Sequence, residues 1–161
     1  MKSKARGDAM TITGCMKRNV ISIPETASIR EAAAIIVQKH IGLLPIVDAD
    51  NKLTGVVGLR DLLSLELPDF IRFIDDLDFV HDFGAVETTR PPARTLEKPI
   101  KSLMKQAITV EEDCGLLRAY ALMVQHNLHD LPVLSKNGEL AGIASRVDIG
   151  TSILSTWSKV E

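Results

Sequence analysis

Residues 44–61 have the sequence LPIVDADNKLTGVVGLRD, and residues 131–148 have the sequence LPVLSKNGELAGIASRVD. In each stretch, two short hydrophobic runs flank a turn rich in Asp, Asn or Gly, and an Asp closes the stretch. Hydrophobic runs joined by such a turn predict a β-hairpin. Because the same pattern recurs 87 positions later, the chain contains an internal repeat.

The repeat extends toward the N-terminal side of each hairpin. Residues 20–61 align with residues 107–148 without a gap, and Met16 aligns with Met104 after a slip of one residue. Each copy begins with a short β-branched run, continues with hydrophobic residues at helical spacing, and resumes helical character after the hairpin. The predicted unit is therefore strand, helix, strand, strand, helix. Identical aligned pairs include Glu25/Glu112, Ala32/Ala119, Ala34/Ala121, Val37/Val124, Gln38/Gln125, Leu44/Leu131, Pro45/Pro132, Leu53/Leu140, Gly55/Gly142 and Asp61/Asp148.

Local signals indicate where the helices begin. In the first copy, Ser28 and Glu31 have the spacing of a capping box, which predicts a helix start. In the second copy, Gly115 stands where Ser28 caps the first helix, so the start of that helix is less sharply defined. Helices are predicted from about residue 29 to 40, from about residue 59, and over residues 114–125 and 146–154.

Composition and charge argue against several classes of protein. The chain has 45% hydrophobic residues, 25% charged residues and a net charge of −2, which is ordinary for a globular protein and does not favour nucleic acid or an anionic membrane as a partner. No apolar run approaches the roughly 18–20 residues that cross a bilayer, and none follows the basic N-terminus, so we expect a cytoplasmic protein. Cys15 and Cys114 lack metal-ligand spacing and are predicted to be reduced core thiols.

The sequence also argues against catalysis. None of the four histidines falls in a metal-binding or catalytic pattern, and neither a Walker A motif nor G-x-G-x-x-G occurs. The acidic cluster of Asp75, Asp76 and Asp78 is interpreted as a solvated face rather than an acid–base pair. We therefore expect a protein that is not an enzyme, with no catalytic residue, no metal site and no required cofactor.

The segment between the two copies follows a different pattern. All four phenylalanines fall between residues 64 and 98. After Pro68, hydrophobic residues recur at three- and four-residue spacing, which predicts an amphipathic helix with an acidic polar side, followed by a Pro-rich linker. This hydrophobic stripe either packs on its own module or forms an interface with a second subunit or an effector protein, and both interpretations stay open. Its residues are Phe70, Phe73, Ile74, Leu77 and Val80.

Each copy carries an ordered set of motifs: a Met at its start, a Leu-Pro-hydrophobic strand, and a Gly six residues before an Asp. This set, occurring twice, resembles a pair of CBS domains, or Bateman module. The resemblance implies an α/β (α+β) fold of two β-α-β-β-α repeats packed with pseudo-twofold symmetry, here with an amphipathic helix inserted between them. The expected divisions are an N-terminal segment at 1–13, repeats at 14–66 and 99–156, an inter-repeat segment at 67–98 and a tail at 157–161.

CBS pairs similar to this one commonly bind AMP, ADP, ATP or a related adenosyl ligand in two clefts. The resemblance implies that an Asp holds the ribose hydroxyls and that a Ser or Thr three residues earlier helps to hold a phosphate. The second copy has the complete pair, Ser145 and Asp148, whereas Gly58 precedes Asp61 in the first. We therefore rank the second cleft first. The pair also fits the N-cap and first-turn acid of a helix, which is the structural alternative.

The resemblance assigns ligand-binding candidates to both clefts. For the second cleft they are Thr109, Val110, Asp130, Leu131, Pro132, Ser145, Arg146 and Asp148. For the first cleft they are Ser22, Ile23, Leu43, Leu44, Pro45, Arg60 and Asp61. The implied function is a regulatory module that binds an adenine nucleotide, with AMP, ADP or ATP first, and transmits the ligand state to a partner. A homodimer is the expected assembly, and the alternative function is a structural oligomerisation module with degenerate, ligand-free clefts.

Overall fold

The computed structural model describes residues 10–75, 77, 78 and 80–159, and its elements follow the same order in the two copies. The first repeat contains β1 (Ile23–Pro24), α1 (Ile29–Lys39), β2 (Leu43–Val47), β3 (Leu53–Gly58) and α2 (Leu59–Leu63). A short helix, α3 (Ala93–Leu96), precedes the second repeat. That repeat contains β4 (Val110–Glu111), α4 (Leu116–Gln125), β5 (Asp130–Leu134), β6 (Leu140–Ser145) and α5 (Arg146–Leu154). The predicted order of strand, helix, strand, strand, helix is confirmed in both copies.

Each repeat forms its own three-stranded sheet, and the two sheets have the same register. β1 pairs in parallel with β2 and places Ile23 opposite Ile46, while β4 pairs in parallel with β5 and places Val110 opposite Val133. The antiparallel hairpins β2–β3 and β5–β6 both shift register one residue before the end of the first strand. The repeat in sequence is therefore a repeat in hydrogen-bonding pattern, and the predicted hairpins are confirmed.

The chain crosses from one repeat to the other twice. Lys17, which precedes the first repeat, exchanges two backbone hydrogen bonds of 2.8 and 2.9 Å with Ile143 of β6. Lys105, which precedes the second repeat, exchanges two of 2.9 Å with Val56 of β3. The segment ahead of each repeat thus pairs with the sheet of the other, which ties the two copies into one domain.

The two crossing segments explain why one methionine and one glycine recur in each copy. A Cβ atom added to Gly142 would lie 2.6 Å from the Met16 sulfur. A Cβ atom added to Gly55 would also meet the Met104 side chain and would lie 2.8 Å from the Lys105 carbonyl oxygen. Each glycine is therefore required because a crossing methionine occupies the space of a side chain.

The hydrophobic cores follow the same crossing. Ile12 belongs to the core of the second repeat, although it precedes the first repeat in sequence, and Ile100 belongs to the core of the first. Each repeat thus borrows buried residues from a segment outside its own sheet. The first core contains Ile23, Ile29, Ala32, Ile36, Leu44, Ile46, Val57 and Ile100. The second contains Ile12, Met16, Val110, Cys114, Leu116, Ala119, Met123, Leu131, Val133, Ala144 and Ile149.

The starts of α1 and α4 differ as the sequence predicts. The Ser28 hydroxyl accepts from the Glu31 backbone N–H at 3.1 Å, and the Glu31 carboxylate accepts from the Ser28 N–H at 2.6 Å, which confirms the capping box. At α4, Gly115 has no side chain to accept the equivalent bond. Of the two cysteines, Cys114 is buried and Cys15 is half-buried, and both are free thiols.

The prediction of an amphipathic helix after Pro68 is wrong. The segment instead forms a 3-10 helix at Asp69–Phe73, after which Ile74 is extended, and a second 3-10 helix at Gly84–Thr88. A short helix persists mainly when its apolar face packs on other elements, yet Phe73 is 83% exposed. Acidic residues at the C-terminal end of the predicted helix, such as Asp75 and Asp78, also oppose its dipole. Phe70 packs edge-to-face on Phe83 at 6.1 Å, while Asp76 and Phe79 lie outside the described residues.

Two features are absent from the described residues. Within them, no helix has the length and apolar character needed to cross a bilayer. The same part of the chain holds no group of three or more His, Cys, Asp or Glu side chains suited to bind a metal ion.

Candidate ligand clefts

Two cavities lie where the repeats meet, and equivalent positions of the two copies line them. The larger has a volume of about 560 Å³ and is called the Asp61 cleft after a carboxylate in its wall. The smaller has a volume of about 240 Å³ and is called the Asp148 cleft, because its Lys17 ammonium lies 3.8 Å from the Asp148 carboxylate. The Asp61 cleft is lined by Gly42, Leu43, Val56, Gly58–Asp61, Lys105–Ile108, His126–Asp130 and Pro132. The Asp148 cleft is lined by Lys17, Asn19–Ile21, His40–Leu43, Asp130 and Ile143.

Asp61 is held in place from two sides. The chain leaves β3 at Gly58, whose backbone N–H donates to the Asp61 Oδ2 at 2.8 Å. The other carboxylate oxygen, Oδ1, forms an ion pair with the Lys105 ammonium. The Asp61 side chain is only 12% exposed, while that of Lys105 is 67% exposed. A nearly buried carboxylate therefore pairs with an exposed lysine side chain at the wall of the larger cavity.

Ser145 and Asp148 form a complete capping box at the start of α5. The Ser145 hydroxyl accepts from the Asp148 N–H at 3.0 Å, and the Asp148 Oδ2 accepts from the Ser145 N–H at 2.9 Å. The structural role that the sequence allowed for this pair is therefore present. The carboxylate is 24% exposed and lies 3.8 Å from Lys17, so its ion pair is looser than that of Asp61.

The two arginines beside these carboxylates have different surroundings. The Arg146 guanidinium donates twice to the Leu128 carbonyl, at 3.1 and 2.6 Å, so it is held by the protein itself. Arg60 is exposed and lines the Asp61 cleft. Arg146, a predicted residue of the second cleft, is therefore already engaged, whereas Arg60 of the first repeat lines the Asp61 cleft.

Asp130 lies on the wall that the two clefts share. It lines both cavities, as does Leu43, the equivalent residue of the first copy. Burial raises the pKa of the Asp130 carboxyl above its ordinary value; nearby His129 and Lys17 lower it, and the charge of Asp148 raises it. The sequence predicted Asp130 as a ligand-binding residue of the second cleft. The structure places its partly buried carboxylate between the two clefts.

The predicted residues are not grouped as expected. We expected Asp61 to share a cleft with Ser22 and Ile23, but those residues line a separate groove of about 640 Å³ with Val47 and Asp48. Thr109 and Val110 line the equivalent groove of the second copy, of about 580 Å³, rather than the Asp148 cleft. The correction follows from the chain crossing, since each carboxylate faces residues of the other repeat. Of the remaining predicted residues, Leu44, Pro45 and Leu131 are buried, and Pro132 lines the Asp61 cleft.

Sequence reasoning missed Lys17 and Lys105 as well as His126 and His129. A signal for the lysines was present, because the dipeptide Met-Lys occurs at residues 16–17 and again at 104–105. Each lysine follows the methionine that packs against the glycine of the other repeat. Its position beside the opposite carboxylate is visible only after the crossing is known.

Known proteins are similar to this chain in sequence. A sequence model of the CBS domain matches residues 10–67 and 100–154. The plant protein CBSX2 of Arabidopsis thaliana, described as a chloroplastic CBS domain-containing protein, is 26% identical over 161 aligned positions, which cover 96% of this chain and 66% of that protein. A homoserine O-acetyltransferase of Methanocorpusculum labreanum is 27% identical over 143 positions, which cover 89% of this chain and 24% of that protein.

Solved structures have the same fold. The structure of CBSX2 in complex with AMP superposes with a TM-score of 0.69 at 24% identity, covering 91% of this chain and 98% of that one. The CBS domain pair of protein MJ0100, in complex with 5′-methylthioadenosine and S-adenosyl-L-methionine, has a TM-score of 0.66 at 22% identity, covering 91% and 97% of the two chains. The chain spans from about a quarter to about two thirds of the length of the first curated relatives that it matches. Two family matches within one pseudo-twofold domain show that the chain belongs to the CBS domain family, as a tandem pair.

Proposed function

We propose that the chain is a non-catalytic regulatory module that binds an adenosyl ligand, with AMP, ADP or ATP first, between its two CBS repeats. The observation that carries the proposal is the Asp61 cleft, in which a nearly buried carboxylate and two cationic side chains, Arg60 and Lys105, face one cavity. Its volume of about 560 Å³ falls within the roughly 300–1,000 Å³ typical of small-molecule sites. The volume of the Asp148 cleft, about 240 Å³, falls below that range.

The chemistry of the Asp61 cleft suits a nucleotide. A carboxylate can accept hydrogen bonds from both hydroxyls of a ribose, and such charge-assisted bonds are the stronger ones. Lys105 and Arg60 offer positive charge to a phosphate. Leu43, Val56 and Ile108 offer apolar surface to a purine base. The AMP in CBSX2 and the adenosyl compounds in MJ0100 support this class of ligand.

The sequence motif and the cavity geometry favour different clefts as the primary ligand site. Motif completeness favours the Asp148 cleft, because Ser145 supplies a hydroxyl that Gly58 lacks. Cavity volume and the exposed Arg60 favour the Asp61 cleft, because Arg146 is already bonded to the Leu128 carbonyl. We give the geometry more weight, since a ligand needs space before it can use a hydroxyl. The proposed primary site is therefore the Asp61 cleft, with the Asp148 cleft as a weaker second site.

Catalysis is not part of the proposal. The homoserine O-acetyltransferase relative has about three quarters of its length outside the matched region, so the match itself carries no acetyl-transfer chemistry to this chain. The AMP and adenosyl complexes of the CBS relatives support a binding role, and we propose that the ligand state passes to a partner protein.

Isothermal calorimetry with AMP, ADP, ATP and S-adenosylmethionine tests the proposal, with guanosine monophosphate as the control for base recognition. We expect saturable binding of at least one adenosyl compound and a rise in melting temperature with its concentration, because a ligand that binds only the folded state stabilises it. If no adenosyl compound binds at millimolar concentration, the structural-module alternative replaces this proposal.

We also propose that two copies associate through the inter-repeat segment. Phe73 is 83% exposed and Leu77 is 39% exposed, so the inter-repeat segment presents apolar side chains to solvent. The double substitution Phe73→Glu and Leu77→Glu is expected to loosen a dimer, because it places charges in an apolar interface. Light scattering at tens of micromolar measures the mass, and a monomeric wild-type protein with and without ligand would contradict this proposal.

A further inference from the structure

The ion pair between Lys105 and Asp61 occupies the carboxylate that a ribose would need. The Asp61 Oδ2 already accepts from the Gly58 N–H at 2.8 Å, and its Oδ1 is bound to the Lys105 ammonium. A ligand that uses both carboxylate oxygens therefore competes with the ammonium for Oδ1. The new position of the ammonium then depends on whether the ligand also carries an anionic group into the cleft.

We propose that Lys105 selects adenosyl ligands that carry a 5′-phosphate over those that do not, an inference that rests on the proposed binding of such ligands in the Asp61 cleft. A ligand with a phosphate offers the displaced ammonium a new anionic partner inside the same cavity. A neutral nucleoside offers none, so its binding leaves the ammonium without a partner. Lys105 thus opposes a neutral ligand and assists a phosphorylated one.

The surroundings of the pair indicate which partner moves. The backbone of Lys105 is fixed by two hydrogen bonds of 2.9 Å with Val56, and Met104 before it packs against Gly55. From this fixed point the side chain extends into solvent, with 67% of its surface exposed. Asp61 is 12% exposed and bonded to the backbone, so its carboxylate stays in place. A long, flexible lysine stem on a fixed backbone lets the ammonium reach either anion.

The other cleft supplies a matched comparison. Lys17 occupies the equivalent position but lies 3.8 Å from Asp148, whose side chain is twice as exposed as that of Asp61. Lys17 also lies near Asp130, an acid that lines both cavities, and its charge lowers the pKa of that carboxyl. Its ammonium is therefore shared between acids, and we expect it to have little influence on ligand choice.

Calorimetry with AMP and adenosine, which differ only by the phosphate, tests the proposal on wild type, Lys105→Met and Lys17→Met at one fixed ionic strength. In Lys105→Met, adenosine affinity is expected to rise about two- to fivefold, because Asp61 no longer has to be freed from an ion pair. The ratio of AMP affinity to adenosine affinity is expected to fall at least about tenfold, since a charge-assisted bond to the phosphate is lost. Lys17→Met is expected to leave that ratio within about twofold of wild type.

Three outcomes overturn the proposal while leaving the proposed function intact: an unchanged ratio in Lys105→Met, a parallel loss of AMP and adenosine affinity, or an equal change in Lys17→Met. A wild type that binds neither compound overturns the proposed function, and this inference falls with it. Melting curves of the three proteins show whether each is folded. If Lys105→Met unfolds, Lys105→Gln removes the charge while keeping a polar side chain of similar length, and the same ratio decides.

Discussion

The Asp61 cleft and the Asp148 cleft occupy equivalent places in the two repeats, yet their volumes are about 560 and 240 Å³. Each carboxylate accepts a hydrogen bond from the backbone N–H three residues earlier, at 2.8 and 2.9 Å. The shared bond belongs to the fold, because it closes the first turn of a helix in both copies. The differences lie in the side chains around it.

Three pairs of equivalent positions separate the clefts. Gly58 corresponds to Ser145, Leu43 to Asp130, and Gly42 to His129. Ser145 and Asp148 lie beside the smaller cleft without lining it, whereas the larger volume and the exposed Arg60 belong to the Asp61 cleft. The repeated motif therefore preserves the helix cap in both copies. The surrounding side chains determine the volume and the charge that are available to a ligand.

The largest expected effect is on nucleotide affinity. Asp61→Ala should reduce AMP affinity at least about tenfold, because it removes the carboxylate of the larger cleft, worth about 1.5–3 kcal/mol per charge-assisted bond. Asp148→Ala should reduce it less than about threefold if its cleft binds little ligand. Calorimetry gives both affinities. The two variants control each other, since each loses one equivalent helix cap. A larger loss of AMP affinity in Asp148→Ala than in Asp61→Ala would instead support the Asp148 cleft as the primary site.

The crossing segments offer the next test, on stability. Gly55→Ala should lower the free energy of unfolding by about 1–3 kcal/mol, because the new methyl group meets Met104 and lies 2.8 Å from a backbone oxygen. Gly142→Ala should cost less, since its nearest backbone oxygen is 3.0 Å away and the other contact is the flexible end of Met16. Urea unfolding measures both.

A glycine outside the crossing serves as the control for these two substitutions. Gly150 lies within α5, and a Cβ atom added there would meet nothing within 4 Å. Gly150→Ala should therefore stabilise the protein by up to about 1 kcal/mol, because alanine favours a helix. Equal losses at all three positions would contradict the packing argument.

The starts of α1 and α4 make a smaller comparison. Ser28→Ala should cost about 1 kcal/mol, because it removes the hydroxyl that accepts from the Glu31 N–H. Gly115→Ser should change stability by only a few tenths of a kcal/mol in the favourable direction, since glycine is itself a tolerable N-cap. Chemical unfolding of the two single variants gives both values. A larger effect at Gly115 than at Ser28 would count against the capping box as the source of the difference.

The smallest effect concerns Asp130 and pH. Burial raises the pKa of this carboxyl in the folded protein above its ordinary value of 3.8, so above that pH the folded state binds more protons than the unfolded chain. Stability from this group is therefore present at low pH and is lost as pH rises through the raised pKa. Asp130→Asn removes the carboxyl and therefore this loss of stability. Its melting temperature should exceed that of wild type by a margin that grows from acid to neutral pH.

The surroundings of Asp130 set the control for this measurement. His129 and Lys17 lower its pKa and Asp148 raises it, so these three charges face the group. Asp50→Asn at the exposed hairpin turn changes the net charge equally, away from both clefts. Melting curves from acid to neutral pH compare the two variants. A constant margin for Asp130→Asn, or the same trend for Asp50→Asn, would remove Asp130 from the pH dependence.

Much of the local structure could be predicted because its causes are local. Hydrophobic spacing, the Ser28–Glu31 capping box and the Asp- and Asn-rich turns act within a few residues, and the helices and hairpins they predicted are present. The prediction failed after Pro68, where the spacing was helical but Phe70, Phe73 and Leu77 are exposed. Spacing alone does not stabilise a helix, since most of the stability comes from packing.

The sequence by itself determined that two copies of one strand-helix-hairpin-helix unit exist, that they belong together, and which family they resemble. Each of these conclusions needs only the comparison of residues at a fixed offset. The tertiary structure alone decided that Ile12 and Ile100 enter opposite cores, that Lys105 meets Asp61, and that the residues around the two clefts come from both repeats. These contacts join residues far apart in the chain, and they depend on the crossing of two segments whose destination no local pattern specifies.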